Sequence, residues 1–420
     1  MNSSSEENEG KDLLDEIYGE VPAHSLDSVR EFKPWHHPRK HWVRINQLCK
    51  LARALVRESH FPNNVFTYLT LPGEELIDIQ SLEGTITGGS EEILDVHAVE
   101  GIFNSTNDEY LKLKYIGFNG FGNNPKKRAA LELAKSIVND SVRIHNGSRI
   151  ENELVQAIAN KKSKSYQLVR NHGPYNVINL DLCGSIADTA PGSSNSYFQA
   201  LVELLEIQRD HMAQPFLLLI ATRTHPSDIE KEALSRITDV YSSNLRSREF
   251  RGVFEEMIKE RAEILLAKIQ KGEEVSQDVL NKVFGVGIGK WLLHLMKPTT
   301  PYWDVFLEDI CCYSIGDSEK DNMLSLAFKF VKVKQPIKDD YGITKQQEIE
   351  NHMVTESVLA QKMLEKSKSI VNVDDLLGAS PETRNKIITR AGKFLTKFGY
   401  SEEDYLKWAN SKFTSIQGVA

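Results

Sequence analysis

From Trp42 onward apolar positions recur every three or four residues. WVRINQLCKLARALVRE puts Trp42, Ile45, Leu48, Leu51 and Leu55 on one stripe, with Arg44, Lys50, Arg53 and Arg57 largely elsewhere. That spacing predicts an amphipathic helix. The break FPNN ends it, and VFTYLTL (65–71), alternating and rich in β-branched and aromatic residues, predicts the first strand. Strands and helices then take turns. LKLKYIGF (111–118) reads as a strand and PKKRAALELAKSIVN (125–139) as a helix with Pro in its first turn. SVRIH (141–145) reads as a short strand and IENELVQAIANKK (150–162) as a helix. NVINLDL (176–182) and PFLLLIATR (215–223) are the near-continuous apolar runs of buried parallel strands, separated by the helical YFQALVELLEIQRDHM (197–212).

Residues 226–300 carry helical periodicity throughout. Two further strands follow, DICCYSIG (309–316) and NMLSLAFKFVKV (322–333), and the polar turn DSEKD between them predicts an antiparallel hairpin. Residues 341–420 return to helices, and no internal repeat is visible. The pattern divides the chain into a polar tail (1–28, with one apolar island, LLDEIY), a basic aromatic segment and leading helix (29–60), an α/β domain (61–335) with a helical insertion (226–300), and a helical extension (336–420). The tail is either a solubilising segment or a docking site for a protein partner.

Five strands alternating with helices and a closing strand pair predict a βαβ sheet with an antiparallel edge. This layout resembles the class I S-adenosylmethionine-dependent methyltransferases, whose Rossmann-like sheet has seven strands, the last antiparallel. The resemblance covers about residues 60–335 and rests on element order more than on motif identity. It implies S-adenosylmethionine as cofactor, bound beyond the carboxyl ends of the strands where strand order reverses.

Composition narrows the partners. At 420 residues, 40% hydrophobic and 26% charged, the chain is long enough for a sizeable core. A net charge of −8 argues against nucleic-acid binding through global charge and leaves room only for a local patch. Four cysteines without a CxxC pair make neither a disulfide framework nor a zinc knuckle. No apolar run reaches bilayer length, so the expectation is a cytoplasmic protein without a membrane partner.

Several stretches would converge at the predicted crevice. In TLPGEELID (70–78) the resembling family has a glycine-rich turn; this chain offers Gly73 between Pro72 and Glu74. At the end of the next strand the family carries an acid for the ribose hydroxyls, and the position here is Asn119, among Gly117, Gly120 and Gly122. Asn146, before Gly147, stands where family members contact the adenine, and is equally a tight-turn residue. Asp181 lies near the carboxyl end of an apolar strand. A carboxylate there is costly to bury unless paired or functional, which makes it the candidate catalytic residue. Cys183 reads either as a nucleophile or as a structural thiol, and Arg223 as a partner for phosphate or for Asp181.

The stretch PWHHPRKHWVR (34–44) opens a run from Arg30 to Arg57 with eight Lys or Arg residues. Its histidines are poorly spaced for a metal. Trp35, Arg39, Lys40 and Arg44 suit stacking and phosphate contacts with nucleic acid, as a rim of the crevice, or else form the solvated face of a helix. Two functions stay open. One is S-adenosylmethionine-dependent methylation, with nucleic acid as a candidate substrate. The other is a catalytically degenerate, methyltransferase-like subunit of a multiprotein complex, bacterial defence being one setting, with partners on the tail and the helical additions.

Overall fold

A computed structural model describes residues 31–86, 111–120, 124–188, 197–297, 301–316, 322–333 and 354–414. The expected tail (1–28), Gly122, most of the loop after Asp181 and the DSEKD turn lie outside the described residues.

Eight strands form one sheet: β1 (Val65–Thr70), β2 (Lys112–Phe118), β3 (Arg149–Glu151), β4 (Val177–Asp181), β5 (Phe216–Arg223), β6 (Trp303–Ser314), β7 (Asn322–Lys332) and β8 (Val371–Asn372). Their order is β3-β2-β1-β4-β5-β7-β6-β8. β1 to β5 pair in parallel, while β7 runs antiparallel to both β5 and β6. The sheet is Rossmann-like, with the antiparallel hairpin expected from the sequence, and two corrections apply. The reversed strand is not an edge: β7 lies inside, its Met323–Phe328 run buried on both sides. The expected seven strands become eight because β8, from the C-terminal extension, adds in parallel to β6.

Residues 141–162, around Asn146, depart from the pattern. Residues 141–145 form a turn with a single bridge, Leu113 to Ile144, and the third strand is instead Arg149–Glu151. The Asn146-Gly147 turn places Ser148 N–H on His145 O and feeds that strand. The helix expected over 150–162 shrinks to a 3₁₀ segment, Val155–Ala159.

The helices are α1 (Pro38–Val43), α2 (Lys50–Glu58), α3 (Ile77–Ile86), α4 (Pro125–Asn139), α5 (Lys164–His172), α6 (Tyr197–His211), α7 (Lys231–Asp239), α8 (Arg248–Ile258), α9 (Ala262–Lys271), α10 (Gln277–Met296), α11 (Glu356–Ser367), α12 (Val373–Ala379), α13 (Pro381–Thr396) and α14 (Glu402–Thr414). α1 runs into α2 through a wide π-type turn, Arg44–Cys49. The helix therefore starts four residues before Trp42, because Pro38 at its first turn needs no donor and presets φ.

Alternation along β5 shows how the layers form. Phe216, Leu218 and Ile220 enter a core with α6 to α11, whereas Leu217, Leu219 and Ala221 enter a second core with α2, α3, α12, α13 and α14. The basic N-terminal segment and the C-terminal helices thus share one face of the sheet. Strand order reverses between β1 and β4, which opens the crevice at their carboxyl ends.

Candidate functional site

β1 and β4 pair with Thr70 opposite Asn179, so the loop after β1 and the end of β4 sit side by side. A chain of polar groups fixes the floor. Asn179 Nδ2 donates to Tyr68 OH at 2.9 Å, and Tyr68 OH and Thr70 Oγ1 both donate to Asp78 Oδ2 at the start of α3. Burial, with the Asp78 charge, pushes the Tyr68 phenol well above its usual range, so it stays a neutral donor.

The N-terminal segment closes the crevice from above. Lys40 Nζ donates to Asp181 Oδ1 at 2.6 Å, with the lysine side chain 9% exposed and the aspartate 30%. Trp35 lies over the loop backbone: a Cβ built on Gly73 would meet its indole nitrogen at 3.5 Å. Trp35 Nε1 donates to Glu75 Oε2 at 2.7 Å, and Tyr400 OH donates to Glu75 Oε1 at 2.8 Å. His36 Nε2 stands 3.4 Å from the same Oε1. Burial pushes the Glu75 carboxyl up, but the hydrogen bond and charge of His36, with the Tyr400 and Trp35 donors, outweigh it and hold the group below its usual value. Glu75 therefore fastens three parts of the chain: the N-terminal segment, the loop after β1, and the turn before α14.

The rest of the segment is anchored to the C-terminal helices. Arg39 is 4% exposed, forms an ion pair with Asp374 of α12, and lays its guanidinium 4.5 Å from the centre of the Phe413 ring. Asp374 also accepts from Ser314 N–H at 2.8 Å; burial outweighs both partners and raises its carboxyl above the usual value. His37 faces Arg39, with Nε2 2.9 Å from Nη1, and burial and the cations Arg39, Lys412 and Lys40 press its pKa down to about 3. His41 is held well below its usual value by burial and by Arg44, which lies 3.0 Å away. Both imidazoles are neutral acceptors for arginine rather than metal ligands. Among the described residues no group of three or more His, Cys, Asp or Glu side chains could hold a metal ion.

These histidines predict acid sensitivity. A histidine whose folded pKa is depressed contributes fully above its unfolded value of 6.5 and loses that contribution as pH falls toward about 3. Denaturant titrations from pH 7 to 5 should show unfolding free energy falling, and His37→Gln should reduce that slope by about one proton, roughly 1.4 kcal/mol per pH unit.

The sequence-predicted residues divide sharply. Asp181 and Gly73 line the crevice together with Trp35, Lys40 and Arg44. Asn119 is buried behind it, its amide donating to Pro72 O at 3.1 Å, and so ties β2 to the loop. Asn146 is exposed on its turn and does not line the crevice. Of the two readings of this segment, the solvated helix face does not hold: Arg39 and Lys40 are buried in ion pairs, and Trp35 and Arg44 are half-buried beside the crevice. The cation that meets Asp181 is Lys40, whereas Arg223 Nε donates to Cys183 O at 2.9 Å. All four cysteines are free thiols, Cys183 exposed and Cys49 pushed up to about 11 by burial. Glu75, His36, Asp374 and Tyr400 were not singled out from the sequence. One signal for them was present, the aromatic spacing of Tyr400, Tyr405, Trp408 and Phe413 in a region otherwise rich in charge.

The implied cofactor does not fit these residues. The space left beneath Trp35 and Lys40 is about 60 Å³, against roughly 300–1,000 Å³ for sites that enclose a molecule of cofactor size. The amide that stands in for the ribose-binding acid is turned to Pro72.

Comparison with known proteins gives a family match at the sequence level and remote structural likenesses to five solved chains. A family model described as PP_RS20740-like matches residues 29–91 and 86–410. No curated protein matches the sequence. A crystal structure from Clostridium thermocellum, described as a candidate rRNA methylase, aligns with 69% of this chain and 97% of its own at 9% identity and a TM-score of 0.28.

Proposed function

This chain belongs to the PP_RS20740-like family, and we propose that it is a methyltransferase-fold binding subunit whose cofactor crevice is closed by its own N-terminal segment. One observation carries this reading: Trp35 covers the Gly73 backbone and Lys40 occupies Asp181, where a cofactor would have to enter. A closed crevice leaves the fold available as a platform, with α7 to α14 as the material for partner surfaces.

A second reading is favoured by Asp181 itself. It keeps its place at the end of β4 and is 30% exposed, so a segment that swung out would present Asp181 and Gly73 to S-adenosylmethionine, and Trp35, Arg39, Lys40 and Arg44 to a nucleic-acid substrate.

Isothermal titration with S-adenosylmethionine and with S-adenosylhomocysteine separates the two. The binding-subunit reading expects no heat from the wild type, nor from Trp35→Ala/Lys40→Ala, in which the crevice is unblocked. Micromolar binding by the double variant alone would establish a gated enzyme, and binding by the wild type would overturn the closed crevice.

A further inference from the structure

Among the helices of the first core lies a cavity of about 320 Å³ that shares no residue with the crevice. Its walls are Phe198 and Val202 of α6, Ala233 and Ile237 of α7, and Ile288 and Trp291 of α10. Ile237 and Ile288 are buried in the core beneath, whereas Phe198, Val202, Ala233 and Trp291 are only half-buried. Phe198 and Trp291 meet edge to face, with ring centres 5.1 Å apart at 80°. Charge enters at the rim. Glu232 and Arg236 pair with each other at 2.5 Å, one turn apart on α7, and cancel. Glu230 is exposed and enters no ion pair among the described residues. Its side chain does not cap α7, while its N–H donates to Ala187 O at 3.1 Å, so its backbone is fixed and its carboxylate is uncommitted. Glu230 also lines a neighbouring polar cavity of about 500 Å³ with Asp188 and Asp228. The one cation lining that second cavity, Arg223, already donates to Cys183 O at 2.9 Å, and Lys231 lines neither.

We infer that the cavity between α6, α7 and α10 binds a small organic cation, an arylalkylamine. Its volume reaches the range of small-molecule sites, roughly 300–1,000 Å³, and it has their make-up of apolar walls with few polar groups. An apolar body laid against Phe198, Val202, Ala233 and Trp291 removes surface on both partners from water, which supplies affinity without selecting a charge. Selection comes from the rings and the rim. Phenyl and indole faces attract an ammonium group, and Glu230 is the rim charge left without a partner. A carboxylate on the same body would meet Glu230, with Asp188 and Asp228 beyond it, and like charges repel. The site stands apart from the crevice and does not depend on whether S-adenosylmethionine binds there.

Isothermal titration of the full-length chain at neutral pH and low salt tests it with phenylbutylamine, phenylbutanol and phenylbutyrate, one body with three end groups. The amine should bind with a dissociation constant below about 1 mM, the alcohol about threefold to tenfold more weakly, and the carboxylate more weakly still. Glu230→Gln should weaken the amine by about threefold to fivefold and leave the alcohol unchanged. Ala233→Trp, which fills the cavity, should abolish binding of both, with its melting temperature reporting whether it folds. Glu230→Gln alters an exposed side chain that caps nothing, and it carries the test if Ala233→Trp does not fold. The inference is overturned by absence of heat from the amine at about 5 mM, by equal affinity for amine and carboxylate, or by wild-type amine affinity in Glu230→Gln or in folded Ala233→Trp.

Discussion

Glu75→Ala is expected to destabilise the protein by about 3–5 kcal/mol, the largest effect of any single substitution around the crevice. The carboxylate is 6% exposed and accepts from Trp35 and Tyr400 while facing His36. Alanine would leave an indole N–H, a phenol and an imidazole without their shared acceptor in a site too tight to admit much water. Because burial alone would raise the carboxyl and the partners lower it, the balance itself reports that the partners dominate. Glu75→Gln keeps one acceptor oxygen and should cost only about 1–2 kcal/mol. Urea titration of the two variants checks the ordering. Loss of the fastener should also show as faster tryptic cleavage after Arg39 or Lys40 under native conditions. Equal stability of Glu75→Ala and wild type would mean that the segment is held elsewhere.

Lys40 and Asp181 should behave as a coupled pair. Lys40→Met leaves a carboxylate 30% exposed, which water can partly solvate, and should cost about 1–2 kcal/mol. Asp181→Ala strands a lysine only 9% exposed and should cost more, about 2–4 kcal/mol. The double variant should be no worse than Asp181→Ala, giving a coupling energy of at least about 1 kcal/mol in a double-mutant cycle. Additive losses would break the pairing. The cycle also bears on function, because a catalytic Asp181 would be marked by lost methyl transfer at unchanged stability, whereas a structural one lowers stability.

How much of this was legible beforehand follows from which forces act locally. The β-run at 65–71 was readable from its alternation, and those at 176–182 and 215–223 because a strand buried on both faces needs a near-continuous apolar sequence; the internal placement of β7 obeys the second rule. Asp181 could be singled out because a charge in such a run demands an explanation. Its partner could not, since Lys40 is 141 residues away and one lysine among eight cations looks like the next. The region from Ser141 to Lys162 misled because a three-residue edge strand carries almost no periodic signal, and turn chemistry at Asn146-Gly147 overrode the apparent strand before it. The basic segment was legible as unusual but not as buried. Its burial depends on Asp374, Glu75 and the ring of Phe413, distant partners whose charges and faces become complementary only after folding.

The hydrogen bond from Tyr405 OH to His36 O joins positions 369 apart in sequence. On a ribosome, the segment that seals the crevice leaves the exit tunnel more than 300 residues before its anchors in α12, α13 and α14. Between the emergence of β4 and that of these helices the nascent chain can pair Lys40 with Asp181 and Trp35 with Glu75, while Arg39 still lacks Asp374 and Phe413 and His36 lacks Tyr405. A chain truncated before Val371 would keep the lid's contacts with Asp181 and Glu75 but lose the anchors that fasten its far side.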